Sequence, residues 1–127
     1  MGHEQAMADA LADRFANEAQ FTNWVIAVYR INGWLVTHMH DSRKQHWSTN
    51  KGIPDIIAVH PVHRRIHFLE LKTKKGKPTL GQRVWLDALE RTAKLINAAA
   101  DMDLLTVGIR RPADQDQIIM EAGGIAP

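Results

Sequence analysis

The stretch from Gly52 to Trp85 limits the possible folds more than any other part of the chain. Two runs rich in β-branched and other apolar residues, 53–60 and 65–71, flank the segment Pro61–Arg64. Runs of this composition around a short gap that opens with proline predict a β-hairpin. The rest of the chain must therefore pack around two antiparallel strands.

The register of this hairpin brings acidic side chains together. If the turn is centred between Val62 and His63, paired positions sum to 125, and Asp55 lies directly opposite Glu70. Lys72 falls on the same face as Glu70, because strand side chains alternate with a period of two. Two carboxylates and a lysine are therefore predicted to converge at the ends of two otherwise apolar strands.

Two interpretations of this cluster are open. Adjacent carboxylates repel each other, and burial raises the pKa of each. A Mg²⁺ or Mn²⁺ ion would remove that penalty, since hard divalent cations favour carboxylate oxygen and water. The alternative is a solvated strand end that carries an ordinary Glu–Lys pair, and the residues alone do not decide between the two.

An ordered set of motifs around the cluster resembles a known nuclease family. The set is, in chain order, Gly52-Ile53-Pro54-Asp55, Glu70-Leu71-Lys72, Gln82, and Trp85-Leu86. Its order and spacing resemble the PD-(D/E)xK nuclease superfamily, and within it the virus-type replication-repair nuclease (VRR-NUC) domain. The resemblance covers about residues 17–120 and extends upstream to Glu18. Downstream it reaches Arg111-Pro112-Ala113-Asp114.

The resemblance implies both a fold and an activity. The fold would be α/β, a mixed central sheet flanked by helices with a restriction-endonuclease-like core in the order αβββαβα. The activity would be metal-dependent endonucleolytic hydrolysis of DNA, duplex or branched, with structure-selective cutting such as Holliday-junction resolution. Stand-alone members of the family imply a homodimer, because a four-way junction has two-fold symmetry and paired nicks need two sites.

The resemblance also implies roles for individual residues. Asp55 and Glu70, with the backbone carbonyl of Leu71, would bind Mg²⁺ or Mn²⁺. Lys72 would stabilise a hydroxide or the transition state by its charge, and Gln82 would position Lys72 or the water.

Two of the implied site residues also have a complete structural explanation. Glu18 would face the metal site in the family, yet it also follows Asn17, a plausible helix cap, and suits the first turn of a helix. Gln82 forms a Thr-x-x-Gln capping box with Thr79. Both interpretations can hold for each residue.

Basic residues cluster in two segments beside the predicted site. Arg43, Lys44 and Lys51 belong to the polar stretch 40–51, and Lys74, Lys75 and Lys77 follow the Glu70 strand. We predict that these six side chains contact DNA phosphates. The alternative is that both segments are solvated surface, since runs of charge usually are.

Composition limits the class of protein. The 127 residues suit a single domain, with a 45% hydrophobic fraction and a formal charge of +2, too small to establish a nucleic-acid partner. There is no cysteine, and no apolar run approaches the length of a membrane span. We expect a soluble cytoplasmic protein, from a bacterium or a phage-infected host cell, with no membrane partner.

The remaining patterns predict helices and leave one rival function. Residues 4–31 and about 78–99 read as helical, with a core face on the second helix formed by Val84, Trp85, Ala88, Leu89 and Ile96. Seven histidines suggest zinc, but no pair has a helical spacing of three or four with an acid between, and there is no cysteine. The rival function is a non-catalytic DNA-binding module on the same scaffold, and flap or general endonuclease activity is a further alternative.

Overall fold

A computed structural model describes residues 15–39, 52–73 and 75–127, together with the single positions 2, 4 and 6. The described ranges 15–39, 52–73 and 75–127 contain three helices and four strands. The helices are α1 (Glu18–Ile31), α2 (Leu80–Ala100) and α3 (Gln115–Ala122), and a 3₁₀ turn (Pro112–Asp114) precedes α3. The strands are β1 (Leu35–His38), β2 (Ile56–His60), β3 (Arg65–Leu71) and β4 (Leu105–Arg110). Their order is αβββαβα, and the predicted α/β class is confirmed.

The four strands form one mixed sheet in the order β1-β2-β3-β4. The pairs β1–β2 and β2–β3 are antiparallel, whereas β3 and β4 are parallel. A parallel pair needs a long crossover, and α2 supplies it. The predicted site is therefore carried by the ends of β2 and β3, the two central strands of the sheet.

The predicted hairpin register is confirmed. Ile56 pairs with Leu69 and Ala58 pairs with His67, so that paired positions sum to 125. The prediction began the first strand too early, because β2 starts at Ile56 and not at residue 53. Pro54 explains the shorter strand, since a proline has no N–H to donate to a ladder.

Helices pack on both faces of the sheet. Phe21, Val25 and Val28 of α1 and Ile118 of α3 pack on one face, against a buried set from the strands that comprises Ile56, Ala58, Leu69 and Leu71. Helix α2 covers the opposite face along β4, where Asn97 Oδ1 accepts hydrogen bonds from the N–H groups of Leu104 and Leu105. Glu70 points to this second face, because it alternates along β3 with Leu69 and Leu71, whose side chains belong to the first face.

The predicted core face of α2 is partly wrong. Leu86 and Ala93 are the buried residues of this helix, and Trp85 and Leu89 are half-buried. Val84, Ala88 and Ile96, which were predicted to face the core, are exposed. Apolar residues occur on two sides of this helix, and only the packing against β4 decides which side is buried.

Several predictions fall outside the described residues. These are the helical assignment of most of residues 4–14, the segment 40–51 with Arg43, Lys44 and Lys51, and the side chain of Lys74. Helix α1 begins as predicted, with the side chain of Asn17 accepting a hydrogen bond from the backbone N–H of Gln20 at 2.9 Å. No helix in the described part of the chain is long and apolar enough to cross a membrane.

Candidate active site

Asp55 lies at the open end of the hairpin, directly before β2, where the ladder between β2 and β3 ends. The register sets Pro54 opposite Leu71, and a proline has no N–H with which to continue the ladder. At this point the N–H of Leu71 donates to the Asp55 carboxylate, with an N to Oδ2 distance of 2.9 Å. The backbone oxygen of Asp55 accepts the N–H of Met39 at 2.7 Å. Asp55 is therefore held by the strands on both sides of it.

Glu70 is the most deeply buried acid of the site. Its side chain is 1% exposed, and its Oε1 accepts the N–H of Asp55 at 3.3 Å. Its Oε2 lies 3.3 Å from the Nζ of Lys72, which is 16% exposed. The structure thus brings Asp55, Glu70 and Lys72 together as the register predicted, joined by hydrogen bonds through the backbone of the strands.

Burial and the neighbouring charges shift the pKa of Glu70. Burial, followed by the nearby Asp55 carboxylate, raises the pKa of Glu70 to about 7 from an ordinary value of 4.5. The hydrogen bond and charge of Lys72 oppose that rise. The pKa of Glu70 stays raised because burial and like charge together outweigh one partly exposed ammonium group.

A close backbone contact joins the site to the first turn of α2. A Cβ atom built on Gly52 would clash with the carbonyl carbon and oxygen of Gly81 and would lie 2.8 Å from the N of Gln82. The segment that leads to Asp55 therefore packs directly on the start of this helix. The Gln82 side chain there accepts the N–H of Thr79 at 2.9 Å, which completes the predicted capping box.

Gly52→Ala should lower the free energy of unfolding by at least about 2 kcal/mol. Gly52 has a φ of +99°, and its Cβ would meet the backbone of α2, which cannot yield as a flexible side chain can. Gly124→Ala is the matched control, because Gly124 has a φ of +95° but nothing within 4 Å of its Cβ position. Urea unfolding of both variants measures the difference, and equal losses would mean that the close contact is unimportant.

Lys75 and Lys77 lie within and directly after the segment 73–76, which Arg111 holds by hydrogen bonds. Lys75 and Lys77 are exposed, as a phosphate-contacting role requires. The Nη1 of Arg111 donates to the backbone oxygens of Thr73 and Gly76, each at 2.6 Å. Sequence reasoning missed this role of Arg111, because nothing local indicates contacts with residues 35 or more positions away.

Other predicted or considered residues do not join the cluster. Glu18 is the exposed first residue of α1, and no hydrogen bond or ion pair connects it to Asp55 or Glu70 within the described residues. His60, considered for zinc, uses both ring nitrogens on backbone: Nδ1 accepts the N–H groups of Val62 and His63, and Nε2 lies 3.1 Å from the oxygen of Asn32. His60 thus stabilises the hairpin turn.

The donor set at Asp55 and Glu70 fits a hard divalent cation. Mg²⁺ is usually held by one or two carboxylates, with waters and substrate phosphates completing its shell. A cation beside both carboxylates would also offset the repulsion that raises the pKa of Glu70. Within the described ranges, no group of three or more His, Cys, Asp or Glu side chains could hold a metal ion. Among the described residues, the two acids and the Leu71 carbonyl are oxygen groups that could hold a cation at this cluster.

Comparisons of the chain with protein-family models, with curated proteins and with solved structures found no match. The resemblance to the VRR-NUC nucleases therefore stays a prediction.

Proposed function

We propose that this chain is a metal-dependent DNA endonuclease whose active site is formed by Asp55, Glu70 and Lys72. The observation that supports the proposal most is the buried Glu70 carboxylate, held 3.3 Å from the N–H of Asp55 and 3.3 Å from the Nζ of Lys72. If the cluster were only a solvated strand end with an ordinary Glu–Lys pair, the Glu70 carboxylate would be exposed to water. Burial beside a second acid is costly, and such arrangements concentrate at functional sites.

Each residue has a distinct task in this proposal. Asp55 and Glu70 would hold Mg²⁺ or Mn²⁺ by their carboxylate oxygens, with the Leu71 carbonyl as a third oxygen. The bound ion would polarise the scissile phosphate and lower the pKa of a coordinated water. The Lys72 ammonium stabilises negative charge that develops on the phosphoryl oxygens during attack. Lys75 and Lys77 contact phosphates of the DNA backbone.

Gln82 has a place in this proposal besides its structural role. Its Oε1 is used by the capping box with Thr79. The amide Nε2 is therefore the group that would hydrogen-bond to the water or the phosphate. The contact between Gly52 and Gly81 brings this first turn of α2 beside the segment that carries Asp55.

The rival function, a DNA-binding module without catalysis, explains the exposed lysines but not the acids. Two carboxylates at a phosphate-binding surface would repel DNA unless a cation lay between them. Branched DNA as the preferred substrate, and a bacterial or phage-infected host cytoplasm as the location, belong to the proposal through the family resemblance.

Cleavage of end-labelled DNA tests the proposed function. The substrates are linear duplex, single strand, flap and four-way junction, each with Mg²⁺, Mn²⁺ or EDTA, and Lys72→Ala is the matched inactive variant. We expect metal-dependent cuts that Lys72→Ala does not make, and the preferred substrate separates a resolvase from a flap or general endonuclease. Binding without cutting on every substrate would favour the non-catalytic module.

A further inference from the structure

Arg111 directly follows β4, at the end of the sheet where the candidate site lies. The strands β3 and β4 are parallel, and their register pairs Leu71 with Arg110. The N–H of Lys72 donates to the backbone oxygen of Arg110 at 3.1 Å, so the two chains stay side by side one position further on. Because paired residues of neighbouring strands share a face, Arg111 leaves the sheet beside Lys72.

The residues after Arg111 fix the conformation of its backbone. A proline disfavours the helical region for the residue before it, and Arg111, which precedes Pro112, is extended with a φ of −123° and a ψ of 164°. The N–H of Arg111 also donates to the Oδ2 of Asp114 at 2.7 Å. The sequence Arg-Pro-Ala-Asp therefore sets the direction in which the arginine side chain leaves β4.

The guanidinium group of Arg111 holds together the two ends of the segment 73–76. Its Nη1 donates to the backbone oxygens of Thr73 and Gly76, each at 2.6 Å. The N–H of Gly76 donates to the oxygen of Thr73 at 3.3 Å, which closes the same segment from within. Hydrogen bonds from a charged donor are stronger than those between neutral groups. The segment 73–76 is thus fastened to the end of β4 by one cation.

The segment 73–76 lies against the side chain of Lys72. A Cβ atom built on Gly76 would lie 3.5 Å from the Cδ of Lys72, an ordinary van der Waals distance. The Nζ of the same lysine lies 3.3 Å from the Oε2 of Glu70. A lysine side chain has many rotamers, and contacts at several points along it select among them. Lys72 is therefore held at its stem by the segment and at its tip by Glu70.

We propose that Arg111 is a positioning residue for Lys72. It acts through the segment 73–76, which it holds against the stem of Lys72, and it would touch neither the metal ion nor the scissile phosphate. This inference rests on the proposed function, in which the Lys72 ammonium stabilises the charge that develops on the phosphoryl oxygens. A displacement of a catalytic group by about 1 Å can lower a rate about 10²-fold.

The rate at which individual lysines are acetylated tests the position of Lys72 without DNA or metal. The side chain of Lys72 is 16% exposed and paired with Glu70. Arg111→Met removes the donor that holds the segment 73–76, and we expect it to raise the rate at Lys72 at least about tenfold. Peptide mass spectrometry measures the rates, with the exposed Lys94 of α2 as the internal reference.

Two further variants make the acetylation experiment decisive. Arg91→Met is the matched control, because Arg91 is an exposed arginine of α2 whose side chain is 79% exposed. Arg111→Lys keeps a charge and a donor but replaces the planar guanidinium group with an ammonium, so we expect a smaller rise at Lys72. An unchanged rate at Lys72 in both Arg111 variants would overturn the inference.

Steady-state cleavage of DNA tests whether the position of Lys72 matters for catalysis. We expect Arg111→Met to lower kcat at least about tenfold, with a change in KM of less than about threefold, because Lys72 acts on the transition state. Arg91→Met should leave both constants unchanged. A raised KM with an unchanged kcat would overturn the inference, since it would mean that Arg111 binds DNA phosphate itself.

The two experiments separate a failure of this inference from a failure of the proposed function. If the wild type cuts no DNA but Lys72 is more reactive in Arg111→Met, the nuclease is refuted and Arg111 still positions Lys72. If the wild type cuts DNA and Lys72 is equally reactive in both proteins, the positioning role is refuted and the nuclease stands.

Discussion

Replacing Glu70 with glutamine should make the metal-free protein more stable at about pH 8 while lowering its cleavage of DNA at least about 10²-fold. The pKa of Glu70 is raised from 4.5 to about 7, so the folded protein binds this proton more tightly than the unfolded chain does. Stability therefore falls as the pH rises from 4.5 to 7, and the full cost remains above pH 7. A neutral amide avoids that cost, in which the opposing effect of Lys72 is already included, and we expect a gain of about 3 kcal/mol.

Glu90→Gln, at an exposed position of α2, is the control for Glu70→Gln. Urea unfolding without divalent ions should show the gain only for Glu70→Gln, and added Mg²⁺ should stabilise the wild type but not this variant. Cleavage by Glu70→Gln should fall by about 10²–10³-fold or more. A variant that is less stable than wild type at about pH 8 would show that the buried carboxylate is stabilised by its surroundings.

Protonation of His67 on acidification should lower the free energy of unfolding by about 3 kcal/mol. Its ring is buried, and its Nδ1 lies 2.7 Å from the hydroxyl of Tyr29. Burial, with smaller effects from Arg110 and Arg65, lowers the pKa of His67 to about 4 from 6.5. Burial also raises the pKa of Tyr29 far above its usual value, so the Tyr29 O–H donates to an imidazole that stays neutral. Stability is therefore lost as the pH falls from 6.5 towards 4.

The pH dependences of His67 and Glu70 have opposite signs in the same window. Between pH 4.5 and 6.5, Glu70 favours the folded state at the acid end and His67 favours it at the other end. We expect these two contributions nearly to cancel in the wild type. Glu70→Gln should then expose a loss of about 3 kcal/mol on acidification, whereas His67→Gln should expose a gain of similar size. Parallel pH profiles of unfolding for all three proteins would contradict both assignments.

The approach of Asp55 to Glu70 could be predicted from the sequence because it depends on geometry within one hairpin. A hairpin turn fixes the register of the strands on either side, and the register alone brought Asp55 opposite Glu70. The capping box of α2 and the cap at Asn17 are local for the same reason. Each of these predictions used residues within one hairpin or one helical turn.

Features that depend on distant parts of the chain could not be predicted. The periodicity of α2 is compatible with two apolar sides, and its contact with β4 selects Leu86 and Ala93 for burial. Arg111 contacts Thr73 and Gly76 only because β3 and β4 are parallel neighbours. The burial of Glu70 likewise depends on the packing around the sheet, and a pattern of residues does not show how deeply a strand end is buried.

Calorimetric titration with Mn²⁺ tests most directly whether the two carboxylates form a metal site. The proteins compared are the wild type, Asp55→Asn and Asp116→Asn, which removes an exposed acid from the first turn of α3. We predict one saturable site per chain in the wild type and in Asp116→Asn, and loss of that site in Asp55→Asn. Binding of Mn²⁺ by Asp55→Asn with the affinity of the wild type would contradict the proposed active site.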